Sequence, residues 1–299
     1  MFALPFLVMA VLMEAFLRKI PNDYVLKKEY LDAYSNDIET LILGSSHSYY
    51  GLNPAFFSSK TFNAGYISQT LDYDYEILKK YESRLKKIKT VILPISYFSF
   101  FEKLEETPES WRVKNYMLYY DMDTAKGLVN YFEILNFPVK TNLKRIISYY
   151  FLSESSITST KLGWGTNYNS ENAQDLIESG EPRARVNTYI NKEGYQVIFD
   201  ANLVTVNNII SWCKSRNVKL LLVTTPAFES YCENLNKEQL EITLTLSETI
   251  GGNYSNCVYL NLLNDPRFDS IDFYDADHLS NIGAEKLSEI INNLINSTK

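Results

Sequence analysis

The sequence predicts an α/β fold, a parallel sheet layered between helices, and three observations carry that reading. Apolar runs of strand length, such as Ile38 to Leu43, suit strands buried on both faces. Segments with apolar residues at helical spacing alternate with those runs along the chain. The composition is that of a globular protein: 299 residues, 45% hydrophobic and 22% charged, enough for one large α/β domain with an insertion or for two domains.

In chain order, Ile38 to Leu43 is the first strand and Thr61-Phe62-Asn63 a short second one. Leu71 to Lys87 is a helix with Tyr73, Ile77, Leu78, Tyr81 and Leu85 on its inner side and lysines on its solvated face. Thr90 to Ile95 is the third strand. Asn202 to Arg216 is a helix, Val218 to Thr224 the fourth strand and Cys257 to Leu262 the fifth. Ser280 to Ile295 closes the chain as a helix with an inner stripe of Ile282, Leu287, Ile290, Ile291 and Leu294. This order implies a three-layer, flavodoxin-like sandwich.

Residues at about 99–198 exceed what an ordinary connection needs and form a largely helical, aromatic-rich insertion. Helical patterning falls near Ala125 to Phe132 and Leu143 to Leu152, and most of the aromatics, Tyr116 and Tyr120 among them, read as core of a helical subdomain. A lid whose aromatics stack on sugar rings is the sharper alternative. Trp164, flanked by Gly163 and Gly165, is the candidate exposed platform, and Arg183 and Arg185 are candidates to bind an anionic group of a substrate.

The chemistry lies at the two ends of the chain. Gly44-Ser45-Ser46-His47 follows the first strand, where open α/β sheets bind ligands, and Asp275-Ala276-Asp277-His278-Leu279 precedes the last helix. A serine at a strand tip, a histidine and an acid three residues before it are a nucleophile, a base and an orienter. The alternatives are a Ser46 that merely caps the next helix and a His278 bonded to Asp275 with no serine partner. His47, next to the nucleophile, is a candidate substrate contact. Asp275 is preferred to Asp277 as orienter, because its spacing lets the carboxylate fold under the ring; Asp277 reads as a surface or helix-capping acid.

These pieces resemble the SGNH/GDSL hydrolase superfamily. Leu43-Gly44-Ser45-Ser46 resembles its first block, Phe62-Asn63-Ala64-Gly65 its second, and Asp275 to His278 with Leu279-Ser280-Asn281-Ile282-Gly283-Ala284 its last. The resemblance covers roughly residues 38–98 and 200–297. It implies a triad of Ser46, His278 and Asp275, with the amides of Ser46 and Gly65 binding the oxyanion. The third block departs from the pattern: Pro94-Ile95-Ser96-Tyr97-Phe98 offers no asparagine, and Ser96 is the nearest replacement as oxyanion donor. Loss of one such donor typically costs about 10²–10³ in rate. The opening block and this departure resemble the membrane-associated branch that acylates or deacylates bacterial cell-surface polysaccharides.

The resemblance therefore implies a serine-dependent esterase or O-acyltransferase acting on acyl, chiefly acetyl, esters of cell-envelope carbohydrate. A non-catalytic carbohydrate-binding or assembly protein on the same fold is the alternative, and a cytoplasmic lipid or thioester hydrolase a weaker third. A net charge of −7 and scattered lysines argue against nucleic acid as a partner. Cys213, Cys232 and Cys257 have no CxxC spacing and neither histidine has zinc-ligand spacing, so no metal or other cofactor is implied.

The domain reading is a hydrophobic anchor or docking helix over residues 1–22 followed by the hydrolase-like domain over 23–299. Met1 to Leu17 is apolar apart from Glu14, marginal for a span of about 20 residues. The expectation is a membrane anchor, and the resemblance implies a domain on the extracytoplasmic face of a bacterial membrane. Against that orientation, Arg18, Lys19, Lys27 and Lys28 favour retention inside.

Overall fold

Strands β1 (Thr40–Ile42), β2 (Thr61–Asn63), β3 (Thr90–Pro94), β4 (Lys219–Thr224) and β5 (Cys257–Asn261) form one sheet in the order β2-β1-β3-β4-β5, with every pairing parallel. In register, Ile42 lies opposite Asn63 on one side and Ile92 on the other. Sixteen residues of β1, β2, β3 and the buried part of β4 would each expose polar backbone without those ladders; pairing and burial therefore go together. The computed structural model describes residues 3–122 and 127–297.

The helices, in chain order, are α1 (Ala3–Arg18), α2 (Asp23–Tyr34), α3 (Ser46–Gly51), α4 (Leu71–Tyr81), α5 (Val113–Tyr120), α6 (Val139–Tyr150), α7 (Leu176–Val186), α8 (Tyr195–Ser215), α9 (Glu229–Glu233), α10 (Lys237–Asn253) and α11 (Asn281–Ser297). The five expected strands are present, β2 with the expected bounds and the other four with ends trimmed by one or two residues. Helix α8 starts earlier than expected, and α10 lies in a stretch whose many threonines and paired glycines, Gly251 and Gly252, obscure its period. The helical pattern near Ala125 begins outside the described residues, and its described part is a single 3₁₀ turn, Leu128–Tyr131.

The chain divides into two compact units, Met1–Asp32 with Leu104–Ser159, and Ala33–Lys103 with Thr160–Lys299. The second unit contains the sheet. Its core sets Ile42, Ile92, Leu221 and Val223 of the sheet against Leu287, Ile291 and Ile295 of α11. Strands β6 (Phe273–Asp275) and β7 (His278–Leu279), not anticipated from the sequence, form a small antiparallel pair in which Asp275 stands opposite His278.

In the first unit a carboxylate is buried among cations: Glu133 lies 2.8 Å from both Lys114 Nζ and Arg145 Nη1 and accepts from Tyr119 Oη at 2.6 Å. Such a charge is tolerated in an interior because it is paired on all sides. Tyr116 and Tyr120 are core here, as expected, whereas Phe132 and Phe151 are exposed.

The expectation of a membrane anchor is corrected. Helix α1 has 16 residues, and among the described residues no helix is long and apolar enough to cross a membrane. The physical reason is length: 16 residues at about 1.5 Å each fall short of a hydrocarbon core about 30 Å thick. Glu14 in this helix accepts the backbone N–H groups of Glu133 and Ile134 at 3.1 and 3.0 Å and pairs with Arg18.

Candidate active site

Gly44 makes the turn that leaves β1. Its φ of +102° is a conformation open to glycine at little cost, and a Cβ there would press on Ser48 Oγ and Pro94. The turn is held from below, where the Gly44 N–H donates to Oδ1 of the buried Asp74 at 2.7 Å. Gln69 Nε2 donates to the same oxygen at 2.6 Å. Burial pushes the Asp74 carboxyl up to about 7.

Ser45 caps α3, its side chain accepting the His47 N–H, so the capping alternative for Ser46 falls to its neighbour. The Ser46 hydroxyl instead meets the distal block: Ser46 Oγ lies 2.8 Å from His278 Nε2. On the other side of the ring, Nδ1 lies 2.9 and 3.1 Å from the two Asp275 oxygens. The Asp275 carboxylate also accepts the backbone N–H groups of Asp277 and His278, which fixes it beneath the ring. The structure thus brings Ser46, His278 and Asp275 into one chain of contacts.

Asp277 is not a surface acid. It is buried because α7 closes over it: Arg183 Nε donates to Oδ1 at 2.6 Å and Asn187 Nδ2 to Oδ2 at 3.1 Å. Asp277 Oδ1 is also 3.0 Å from His278 Nδ1, and Oδ2 is 3.4 Å from His47 Nε2. Burial alone would raise the Asp277 carboxyl, but His278, His47 and Arg183 hold it well below the usual carboxylate range. Burial would likewise lower the His278 imidazole, yet Asp277 and Asp275 outweigh it and bring it to about 9.

Several expected roles are redistributed. His47 is buried, with Nδ1 2.7 Å from Ser96 Oγ and its ring edge-on to His278 at 4.9 Å between centroids, so it packs behind that ring and is not presented as a substrate contact. Burial is the main reason its imidazole is lowered below the usual range. Ser96 is engaged by that same ring and is not presented as an oxyanion donor. The Gly65 N–H donates to Asn63 Oδ1 at 3.0 Å, and a Cβ at Gly65 would lie 2.4 Å from Ser48 Oγ. This glycine is needed for close packing, with its amide directed to Asn63. Trp164 is half-buried and its indole N–H donates to the Tyr50 carbonyl at 2.7 Å, which makes it a tether of its loop to α3. Arg183 is brought to the histidine and the two acids. Arg185, two positions after Arg183 on α7, is exposed.

Three tyrosines were missed by sequence reading. Tyr50, Tyr168 and Tyr274 stack face to face, with centroids 3.6 and 3.8 Å apart, and Tyr50 and Tyr168 also present edges to His278. They come from three distant segments, and no local pattern links them. Among the described residues one grouping, His47, Asp277 and His278, has ligand atoms close enough for a metal ion, within 4.8 Å of one another. The Arg183 guanidinium already brings a cation to that acid, so the residues do not make a metal centre as they stand.

No family model and no curated protein matches this chain. Solved structures similar to it include a candidate acylhydrolase from Bacteroides fragilis, at TM-score 0.43 and 11% identity over 88% of both chains. A candidate platelet activating factor from Streptococcus pneumonia aligns at 0.45 and 12% over 98% of both. A GDSL-like lipase from Bacteroides thetaiotaomicron aligns at 0.42 and 8%, over 92% of this chain and 100% of the other. At such identities the chemistry has to be read from the site itself.

Proposed function

We propose that this chain is a serine-dependent ester hydrolase of the SGNH/GDSL type, with Ser46 as nucleophile, His278 as base and Asp275 as its orienter. The observation that carries the reading is the unbroken path from Ser46 Oγ through the His278 ring to Asp275, with contacts of 2.8 and 2.9 Å. With the Nδ1 proton directed at Asp275, Nε2 accepts the hydroxyl proton as Oγ attacks an ester carbonyl. The carbonyl oxygen takes up the negative charge. The Ser46 amide, in the first turn of α3 where backbone donors lack helical partners, is the donor available to it. Collapse of the intermediate expels the alcohol, which takes the proton back from His278 and leaves an acyl-serine. Water then releases the acid by the same steps; a sugar hydroxyl in its place would make the protein an O-acyltransferase. The finer assignment, acetyl esters on carbohydrate, rests on the sequence resemblance.

A second reading, a non-catalytic binding protein on this fold, is favoured by one specific observation. Two of the three expected oxyanion donors, Gly65 and Ser96, are directed at Asn63 and His47. The two readings separate by exposing the full chain and its Ser46→Ala variant to a fluorophosphonate probe and then to a small acetate ester. Labelling and turnover that require Ser46 support the hydrolase. Absence of both in a folded protein overturns it in favour of binding.

A further inference from the structure

Taking the hydrolase reading as its basis, we infer that Asp277 is a second positioning carboxylate of the base, sharing the His278 Nδ1 proton with Asp275 and held in place by Arg183.

Three distances converge on one ring nitrogen. His278 Nδ1 is 2.9 Å from Asp275 Oδ1, 3.0 Å from Asp277 Oδ1 and 2.6 Å from Arg183 Nη2. A guanidinium donates and cannot accept, while a carboxylate accepts and cannot donate. Nδ1 therefore faces two groups that require it to carry a proton and one that requires it to be bare. If it is bare, Nε2 carries the proton and cannot take one from Ser46. The tautomer useful for proton abstraction wins only if the acids outweigh the arginine.

Asp277 acts on both sides of that contest. Its Oδ1 adds a second negative charge next to the Nδ1 proton, and the same atom takes Arg183 Nε at 2.6 Å, which gives the guanidinium a carboxylate partner besides the ring. Arg183 Nη2 also lies 3.6 Å from Asp275 Oδ2, so the cation bridges both acids. The remaining Asp277 oxygen is held by Asn187 Nδ2 and faces His47 Nε2. The groups facing His278 are thus Ser46, His47 and Tyr50 from α3, Tyr168 from the loop before α7, Arg183 from α7, and the two acids from its own hairpin. Of these, the two carboxyls and the Arg183 guanidinium meet the Nδ1 edge of the ring.

The chain has two histidines, so imidazole NMR titration of the full-length protein follows His278 without reference to any reaction. It is recorded for the native protein and for the Asp277→Asn and Arg183→Gln variants, the folding of each checked by circular dichroism. Loss of the carboxylate moves the His278 midpoint down by about one pH unit or more, and loss of the cation moves it up. Shifts of opposite sign support the assignment, which a merely structural role for the pair does not produce. An unchanged midpoint in Asp277→Asn overturns it. If that variant does not fold, Arg183→Gln decides alone, because Arg183 is one-third exposed: a rise supports the assignment and no rise overturns it. Since the titration needs no substrate, a protein that shows these shifts but never reacts with the fluorophosphonate probe loses the hydrolase reading and keeps the two-carboxylate one.

Discussion

Ser46 and His278 stand 232 positions apart in the chain and meet at 2.8 Å. The serine is placed by the end of β1 and the turn at Gly44, the histidine by the small hairpin of β6 and β7 before α11. Closing so long a loop costs chain entropy, and the packing of α11 on the sheet and on α3 offsets it.

Asp277 and Asp275 bring the His278 imidazole to about 9, and the proposed reaction should follow it. With His278 at about 9, roughly 1% of it is neutral at pH 7. Fluorophosphonate labelling of Ser46 should therefore rise roughly tenfold per pH unit from pH 6 to 8 and level off above about 9. Folding is linked with a definite sign: a histidine raised above its unfolded value contributes stability that is complete below about pH 6.5 and is lost as pH climbs through about 9. Rate profiles and denaturant melts across this range check both statements.

Asp74 should have the same sense for a different reason. Its carboxyl is raised to about 7 by burial, so native stability falls between the unfolded value near 4 and pH 7 as the buried group is made to ionise. Asp74→Asn removes that liability while retaining an acceptor for Gly44. The variant should gain on the native protein as pH rises, by up to about 4 kcal/mol at pH 8, in parallel urea titrations at pH 4 and pH 8.

Gly44→Ala tests the turn itself. A side chain at φ +102° is strained, and the added carbon would sit 3.1 Å from Ser48 Oγ and 3.2 Å from Pro94 Cδ. A loss of about 1–3 kcal/mol is expected. Because Ser46 is two residues on, probe labelling should fall more than stability alone explains, measured at a temperature where the variant remains folded.

Trp164→Phe removes the indole donor to the Tyr50 carbonyl and keeps most of the ring. A cost of about 1 kcal/mol is expected from that hydrogen bond. If the indole is a tether and not a sugar platform, turnover of a small acetate ester should stay within a few-fold of the native rate.

Much of the fold is legible in the sequence because strands buried on both faces must be largely apolar. Ile38 to Leu43, Val91 to Leu93 and Val218 to Thr224 announce themselves in that way. The small hairpin does not, since β6 and β7 total five residues and lack an alternating pattern. In the site, Ser46, His278 and Asp275 were legible as a set of chemical types in a fixed order. Asp277 was misread because nothing in its neighbours predicts that α7, some ninety residues earlier, covers it with Arg183 and Asn187.

What the sequence determined by itself is the layered α/β architecture and the identity of the residues able to act, since both depend on apolar patterning and side-chain chemistry that are local properties. Which of those residues touch was decided by tertiary structure alone. The pairing of Ser96 with His47, the meeting of Ser46 with His278 and the covering of Asp277 by Arg183 all join segments far apart in the chain, and contact distances of 2.6 to 2.8 Å follow from how those segments pack.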